Sequence, residues 1–264
     1  MRIATWNMKQ AVAPKKPLPE LWQWMDENID PDVIVLTEAK VPTSGVPQGW
    51  TAVWREGGIG PRRTWGTVIA AREGYQLVDV TSGVSGKDGF SITHTWPGTV
   101  TITDVMQDGD YVATVVGLYA ITQDLNGESI GNGSVSVPAI LVSLEELYLS
   151  ERGEKLIIAG DFNLWPRKMP DFLYENFIDV VAGTADARGP LAGCSGCDVE
   201  PDECGHMWTH KNGNSPNAAV QNIDYIFMSE FFETVVVDVF GGVEDFPDAW
   251  DVSDHAPVIV DFDS

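Results

Sequence analysis

Leu156-Ile157-Ile158-Ala159-Gly160-Asp161-Phe162-Asn163 is an apolar, β-branched run that ends in a glycine and then presents a carboxylate and a carboxamide two residues apart. A run of this kind reads as a buried strand, and Gly160 lets the backbone leave it sharply. Asp161 and Asn163 then sit at the strand's carboxyl end, on one face of it if the extended geometry persists. The same design, an apolar strand with an oxygen-rich tip, recurs at four other places. They are Ile3-Ala4-Thr5-Trp6-Asn7, Asp32-Val33-Ile34-Val35-Leu36-Thr37-Glu38, Ile223-Asp224-Tyr225-Ile226-Phe227 and Ser253-Asp254-His255-Ala256-Pro257-Val258. Taken singly, each is an ordinary cap or turn. Together they form a hard-oxygen set with one imidazole, which suits Mg²⁺ or Mn²⁺ better than a soft metal.

In these five segments the sequence resembles the endonuclease/exonuclease/phosphatase superfamily, from Asn7 in "ATWNM" to His255 in "VSDHAPV". The "PDVIVLTEAK" segment looks like the one carrying the principal metal-binding glutamate, here Glu38. "AGDFN" is similar to the family's most recognisable motif and carries Asp161 and Asn163. "IDYIF" and "SDH" supply Asp224, Asp254 and His255, and "VVGLYA" matches a strand whose tip bears histidine in some members and tyrosine in others, here Tyr119. That tyrosine favours the one-histidine arrangement of the apurinic endonuclease-like branch, without carrying over its substrate.

The resemblance implies an α/β fold, a four-layered α/β/β/α sandwich of two packed mixed sheets flanked by helices, spanning residues 1–264 as one catalytic domain. It also implies hydrolysis of a phosphate ester by in-line attack of water. Glu38 would bind Mg²⁺ or Mn²⁺, with Asn7 and Asp254 completing or supporting the shell. Asp161 would orient or deprotonate the water, and Asn163 would hold the water or the phosphate. His255, paired with Asp224, would stabilise charge on phosphate oxygens; His255 as general base is the alternative. Tyr119 would be a second polar clamp on the phosphate.

The residues are consistent with such a fold. Continuously apolar strands such as Ile34–Leu36, Val115–Leu118 and Ile157–Ala159 need cover on both faces. Strands are expected near 2–6, 32–37, 50–54, 65–71, 76–80, 90–95, 99–105, 111–119, 155–160, 206–210, 222–228, 233–240 and 257–262. Helices are expected at 18–28 and about 135–151, the second through Ile140, Leu141, Leu144 and Leu147 and ended by Gly153. Asp108-Gly109 marks a hairpin. No stretch approaches the roughly 18 apolar residues of a membrane span. The chain opens directly into a strand carrying Asn7, so a monomeric cytoplasmic enzyme without a signal peptide is expected.

Charge complicates the choice of substrate. The formal balance is −23, which argues against a polyanionic partner. Its distribution is uneven: residues 1–72 hold nine Lys or Arg against seven Asp or Glu, and residues 73–264 hold seven against 32. Lys9 and Lys40 lie two residues beyond Asn7 and Glu38, and Arg62-Arg63 precede the strand "TWGTVIAA", so these four are candidate phosphate contacts. Trp165, just after Asn163, and Trp250, shortly before Asp254, are loop tryptophans able to stack on a base; covering the core is the competing role. A nuclease acting on DNA or RNA is the leading expectation, and an enzyme for a small phosphate ester is the alternative. A catalytically dead binding module is disfavoured because no member of the oxygen and imidazole set is missing.

Cys194, Cys197 and Cys204, followed by His206 and His210, are compatible with a tetrahedral zinc site. Zn²⁺ held by Cys194, Cys197, Cys204 and His206 would staple a Gly-, Pro- and Asp-rich segment. Ordinary reduced thiols are the other reading.

Overall fold

The computed structural model describes residues 1–10, 14–56, 65–81, 98–123, 128–179, 205–213, 215 and 217–263. Arg62, Arg63, Cys194, Cys197 and Cys204 lie outside these, as does the strand expected at 90–95.

Among the described residues fourteen strands are numbered in chain order. The first sheet contains β1 (Arg2–Asn7), β2 (Val33–Ala39), β3 (Trp50–Glu56), β4 (Gly66–Arg72), β13 (Val236–Gly241) and β14 (Val258–Phe262), in the order β13-β14-β1-β2-β4-β3. The second contains β5 (Tyr75–Asp79), β6 (Val100–Gln107), β7 (Asp110–Tyr119), β8 (Leu156–Asp161), β9 (Ile178–Asp179) and β12 (Asp224–Met228), in the order β5-β6-β7-β8-β12-β9. A short ribbon pairs β10 (His210–Lys211) with β11 (Val220–Gln221). Each large sheet contains a parallel pair, β1 with β2 and β7 with β8, among antiparallel neighbours.

Side-chain alternation sorts the strands into layers. Ile3, Val33, Val35, Ile69, Val258 and Val260 of the first sheet meet Val105, Val115, Ile157, Ala159, Ile226 and Met228 of the second in one buried cluster. Their chain neighbours point outward. Ala4, Trp6, Ile34 and Leu36 pack under the helix α1 (Leu18–Trp24) with Leu21 and Trp22. Val116, Leu118, Ile158, Tyr225 and Phe227 pack under α2 (Ser136–Ser143) and α3 (Glu145–Tyr148) with Ile140, Leu141, Leu144 and Leu147. This is the expected four-layered α/β/β/α sandwich. At roughly 1.5–3 kcal/mol for each fully buried large aliphatic side chain, the three clusters favour this layering strongly over any arrangement exposing one sheet face.

Several boundaries differ from expectation. The helix expected over 135–151 breaks at Leu144, whose N–H bonds to Leu141 in a tighter turn, and α3 ends at Tyr148 rather than at Gly153. Gly153 instead lies in a 3₁₀ turn, Glu151–Lys155, that feeds β8. Within 206–210 only His210 enters a strand. Trp208 and Thr209 offer their carbonyls to Val243 and Ala256, and the Thr209 N–H bonds to the Gln221 carbonyl of β11, so the segment joins neither large sheet. Of the 222–228 run only Asp224–Met228 is strand (β12), with β11 ending before it at Gln221, and β13 begins at Val236 with a register shift before Asp238. The Asp108-Gly109 hairpin forms as expected, with both residues at positive φ (54° and 91°).

Candidate active site

Topology brings the oxygen-rich tips together. In each parallel pair both carboxyl ends face the same edge, so β1 and β2 deliver Asn7 and Glu38 while β7 and β8 deliver Tyr119 and Asp161. Strand β12 runs antiparallel to β8 and starts opposite its end, with Asp224 across from Asp161. Strand β14 runs antiparallel to β1, so the Asp254-His255 segment that precedes it lies beside the end of β1.

The two sheets are joined here by side chains. Asn7 Nδ2 donates to Asp161 Oδ2 across 2.9 Å, and Asn163 supplies its backbone N–H to Asp161 Oδ1 (2.8 Å) and its Nδ2 to Asp161 Oδ2 (3.1 Å). The hydroxyl of Tyr119 donates to Glu38 Oε1 at 2.9 Å. In this structure the Tyr119 proton is directed at the glutamate. His255 Nδ1 lies 2.9 Å from Asp224 Oδ2, and its Nε2 faces Asp161 Oδ2 at 4.0 Å. Lys9 pairs with Asp254. The Ser253 hydroxyl accepts from the His255 N–H and donates to the Asn7 carbonyl, locking the loop to β1.

Backbone strain concentrates at this edge. Among the described residues, five that are not glycine have positive φ, and three of them belong to the site: Lys9 (51°), Glu38 (43°) and Asn163 (46°). The left-handed region costs such residues roughly 1–2 kcal/mol each, which the surrounding hydrogen bonds offset.

The buried charges shape one another. Burial opposes the charged form of His255, but the field of Asp224 and its hydrogen bond, then Asp161 and Asp254, outweigh burial and push the imidazole up to about 10. Burial, then the neighbouring charge of Asp224, holds Asp161 well above the usual carboxylate range. Burial also raises Glu38. For Asp254 burial is overcome by His255 and Lys9, so its carboxyl stays low.

His210 was grouped by sequence only with the cysteine segment, and the structure places it here. Its ring centroid is 4.5 Å from that of His255, its Nδ1 is 3.0 Å from Gln221 Oε1, and burial followed by the charge of His255 lowers it to about 4. Only the long-range bridge between His210 and His255 reveals this. His206 is partly buried, which lowers its pKa. Lys40 is half-buried beyond the end of β2, and Trp165 carries the Arg167 guanidinium 5.2 Å from its ring centroid.

The donor set fits a hard divalent cation. Among the described residues no Lys or Arg pairs with Glu38; the His255 imidazolium is the positive charge that acts on this carboxylate, with the Asn7 amide and the Tyr119 hydroxyl beside it. Donor atoms of Asp161, Asp224 and His255 also lie within 4.8 Å of one another, although the hydrogen bond between His255 and Asp224 already engages two of them. No helix among the described residues is long and apolar enough to cross a membrane.

Solved structures share this architecture across the whole chain. The 3′ phosphatase NExo from Neisseria, bound to a product DNA hairpin, is 19% identical with a TM-score of 0.59, covering 100% of both chains. The AP endonuclease LMAP from Leishmania major is 17% identical with a TM-score of 0.64, covering 98% of this chain and 86% of its own. Truncated TDP2 from Caenorhabditis elegans is 12% identical with a TM-score of 0.59, covering 100% and 97%. At these identities the likeness is one of fold. No curated protein matches the sequence. The model of the Endonuclease/Exonuclease/phosphatase family matches residues 4–255, and that match, spanning every segment of the site, makes the chain a member of that family.

Proposed function

We propose that the chain is a divalent-metal-dependent phosphodiesterase whose substrate is DNA or RNA. The observation that carries this is the convergence of Asn7 and Glu38 from one sheet with Asp161 and Asp224 from the other, beside Asp254 and His255. Glu38 and the Asn7 amide, supported by Asp254, would hold Mg²⁺ or Mn²⁺. The metal, when bound, neutralises phosphate charge and the charge developing on the leaving oxygen.

The protein's own groups divide the remaining work. Asp161, pushed above the usual carboxylate range and fixed by Asn7 and Asn163, accepts the proton of the attacking water. His255 stays an imidazolium at neutral pH, so its Nε2–H donates to a non-bridging phosphate oxygen while Asp224 holds the ring from Nδ1. That assignment is favoured over His255 as general base, since a group near 10 holds its proton at pH 7. Tyr119 positions Glu38.

A DNA hairpin in the NExo structure supports the nucleic-acid reading by analogy of fold. The net charge of −23 favours the second reading, a small phosphate ester such as an inositol phosphate, a lipid headgroup or a nucleotide. Metal-stripped protein assayed with single-stranded and duplex oligonucleotides and with small esters, with and without Mg²⁺ or Mn²⁺, separates them. Metal-dependent oligonucleotide cleavage is expected; turnover of small esters alone would overturn the reading.

A further inference from the structure

Lys211 is the only Lys or Arg after Arg188, in a stretch that holds fifteen Asp and Glu. The fold puts this isolated cation on the rim of the site. Its N–H bonds to the Asp254 carbonyl at 2.9 Å, and it follows His210, whose ring faces His255. The Lys211 ammonium sits 5.0 Å from the ring centroid of Trp250. On the same tryptophan, Lys15 reaches in from the opposite end of the sequence, donating to the Trp250 carbonyl and, at 3.0 Å, to the Ser253 carbonyl.

Among the described residues neither ammonium is paired with a carboxylate, whereas Arg2, Arg55, Arg72 and Arg152 are all tied to aspartates. Lys15 is exposed, and Lys211 and Trp250 are half-buried. Two cations outside any ion pair and an aromatic thus converge beside the Ser253-Asp254 backbone. On a surface that is elsewhere strongly acidic, Lys15, Lys211 and Lys9 gather here within range of one another, beside Asp251 and Asp254.

We propose that Lys15, Lys211 and Trp250 form a phosphate subsite that receives the nucleic-acid backbone next to the scissile bond, on the His255 side of the cleft. It rests on the nuclease reading above. The lysines attract a backbone phosphate and Trp250 gives the strand an apolar wall. Contacts of this type hold the strand in register without selecting its sequence.

The test is binding of fluorescent single-stranded and duplex oligonucleotides in EDTA, followed by anisotropy over a range of salt. Lys15→Gln/Lys211→Gln is expected to weaken binding at least about tenfold and to flatten the salt dependence by about one unit of slope for each lost phosphate contact. Since Lys15 also tethers the 250–253 backbone, Lys211→Gln alone, checked by thermal melting, is the second variant, with a slope change of about one. Wild-type binding with unchanged affinity and slope in both variants would overturn the subsite and leave the nuclease reading standing. Absence of salt-dependent oligonucleotide binding by the wild type would remove both.

Discussion

The hydroxyl of Tyr119, at the end of β7, donates to Oε1 of Glu38, at the end of β2, and so ties one sheet to the other at the site. The bond fixes one oxygen of a carboxylate that pairs with no Lys or Arg among the described residues. A group that orients a metal-binding carboxylate acts on metal affinity more than on substrate affinity. Tyr119→Phe is therefore expected to raise the Mg²⁺ concentration for half-maximal activity by about tenfold, with a smaller change in KM. A rise confined to KM would mean that the tyrosine contacts the substrate instead.

Removing metal is expected to abolish activity, and Mg²⁺ or Mn²⁺ to restore it. Stability offers a second readout. Burial raises the Glu38 pKa in the folded chain, so the folded state holds this proton more tightly than the unfolded state does. Ionised Glu38 then costs stability above the ordinary carboxylate range, and the cost is relieved as pH falls. Metal-free Glu38→Gln is thus expected to melt no lower than metal-free wild type at neutral pH, while losing the metal-induced rise in Tm. A variant that still gains Tm with Mg²⁺ would place the ion elsewhere.

Much of the fold was legible because each buried strand carries its own signal. Alternation of Ile3 and Thr5 with Ala4 and Trp6, or of Val33 and Val35 with Ile34 and Leu36, assigns residues to two faces that both find cover. The tips Asn7, Glu38, Asp161 and Asp224 were legible for the same reason, since the first three close such strands and Asp224 opens one. What escaped was contact between distant segments of weak local pattern. Nothing near Lys15 in sequence indicates Trp250, 235 positions away. His210 begins a two-residue strand, β10, too short to carry a periodicity that would mark its ring as a neighbour of His255. The break at Leu144 was hidden because Ile140, Leu141, Leu144 and Leu147 stay on the buried face across it.

Gly160 links fold and site in one position. Its φ is 148°, and a Cβ built there would lie 1.8 Å from the Leu118 carbonyl oxygen of the adjacent strand. Neither contact partner is a flexible side chain that can swing away, so β7 and β8 would have to separate next to Asp161. Gly160→Ala is expected to destabilise the chain by about 4 kcal/mol or more, in the exceptional range for one substitution. Denaturant titration measures this, and a loss below about 1 kcal/mol would show that the strands give way easily.

His255 and Asp224 are best tested through the pH dependence of turnover. If His255 is the proposed donor to the phosphate, His255→Ala is expected to lower kcat by about 100-fold or more. Asp224→Asn leaves both the ring and the base in place but deletes one negative charge that acts on each of them. For His255 that charge raises the pKa to about 10, so without it the imidazolium is lost at lower pH and the alkaline limb moves down. For Asp161 the same charge, after burial, raises the pKa, so without it the carboxylate persists to lower pH and the acid limb moves down as well. The whole bell of the pH–rate profile is expected to translate toward acid, with a reduced maximum. If His255 were the general base and Asp161 only a hydrogen-bond acceptor, activity would instead need the neutral imidazole. The alkaline limb would then no longer report the imidazolium, and an alkaline limb that Asp224→Asn leaves in place would favour that arrangement.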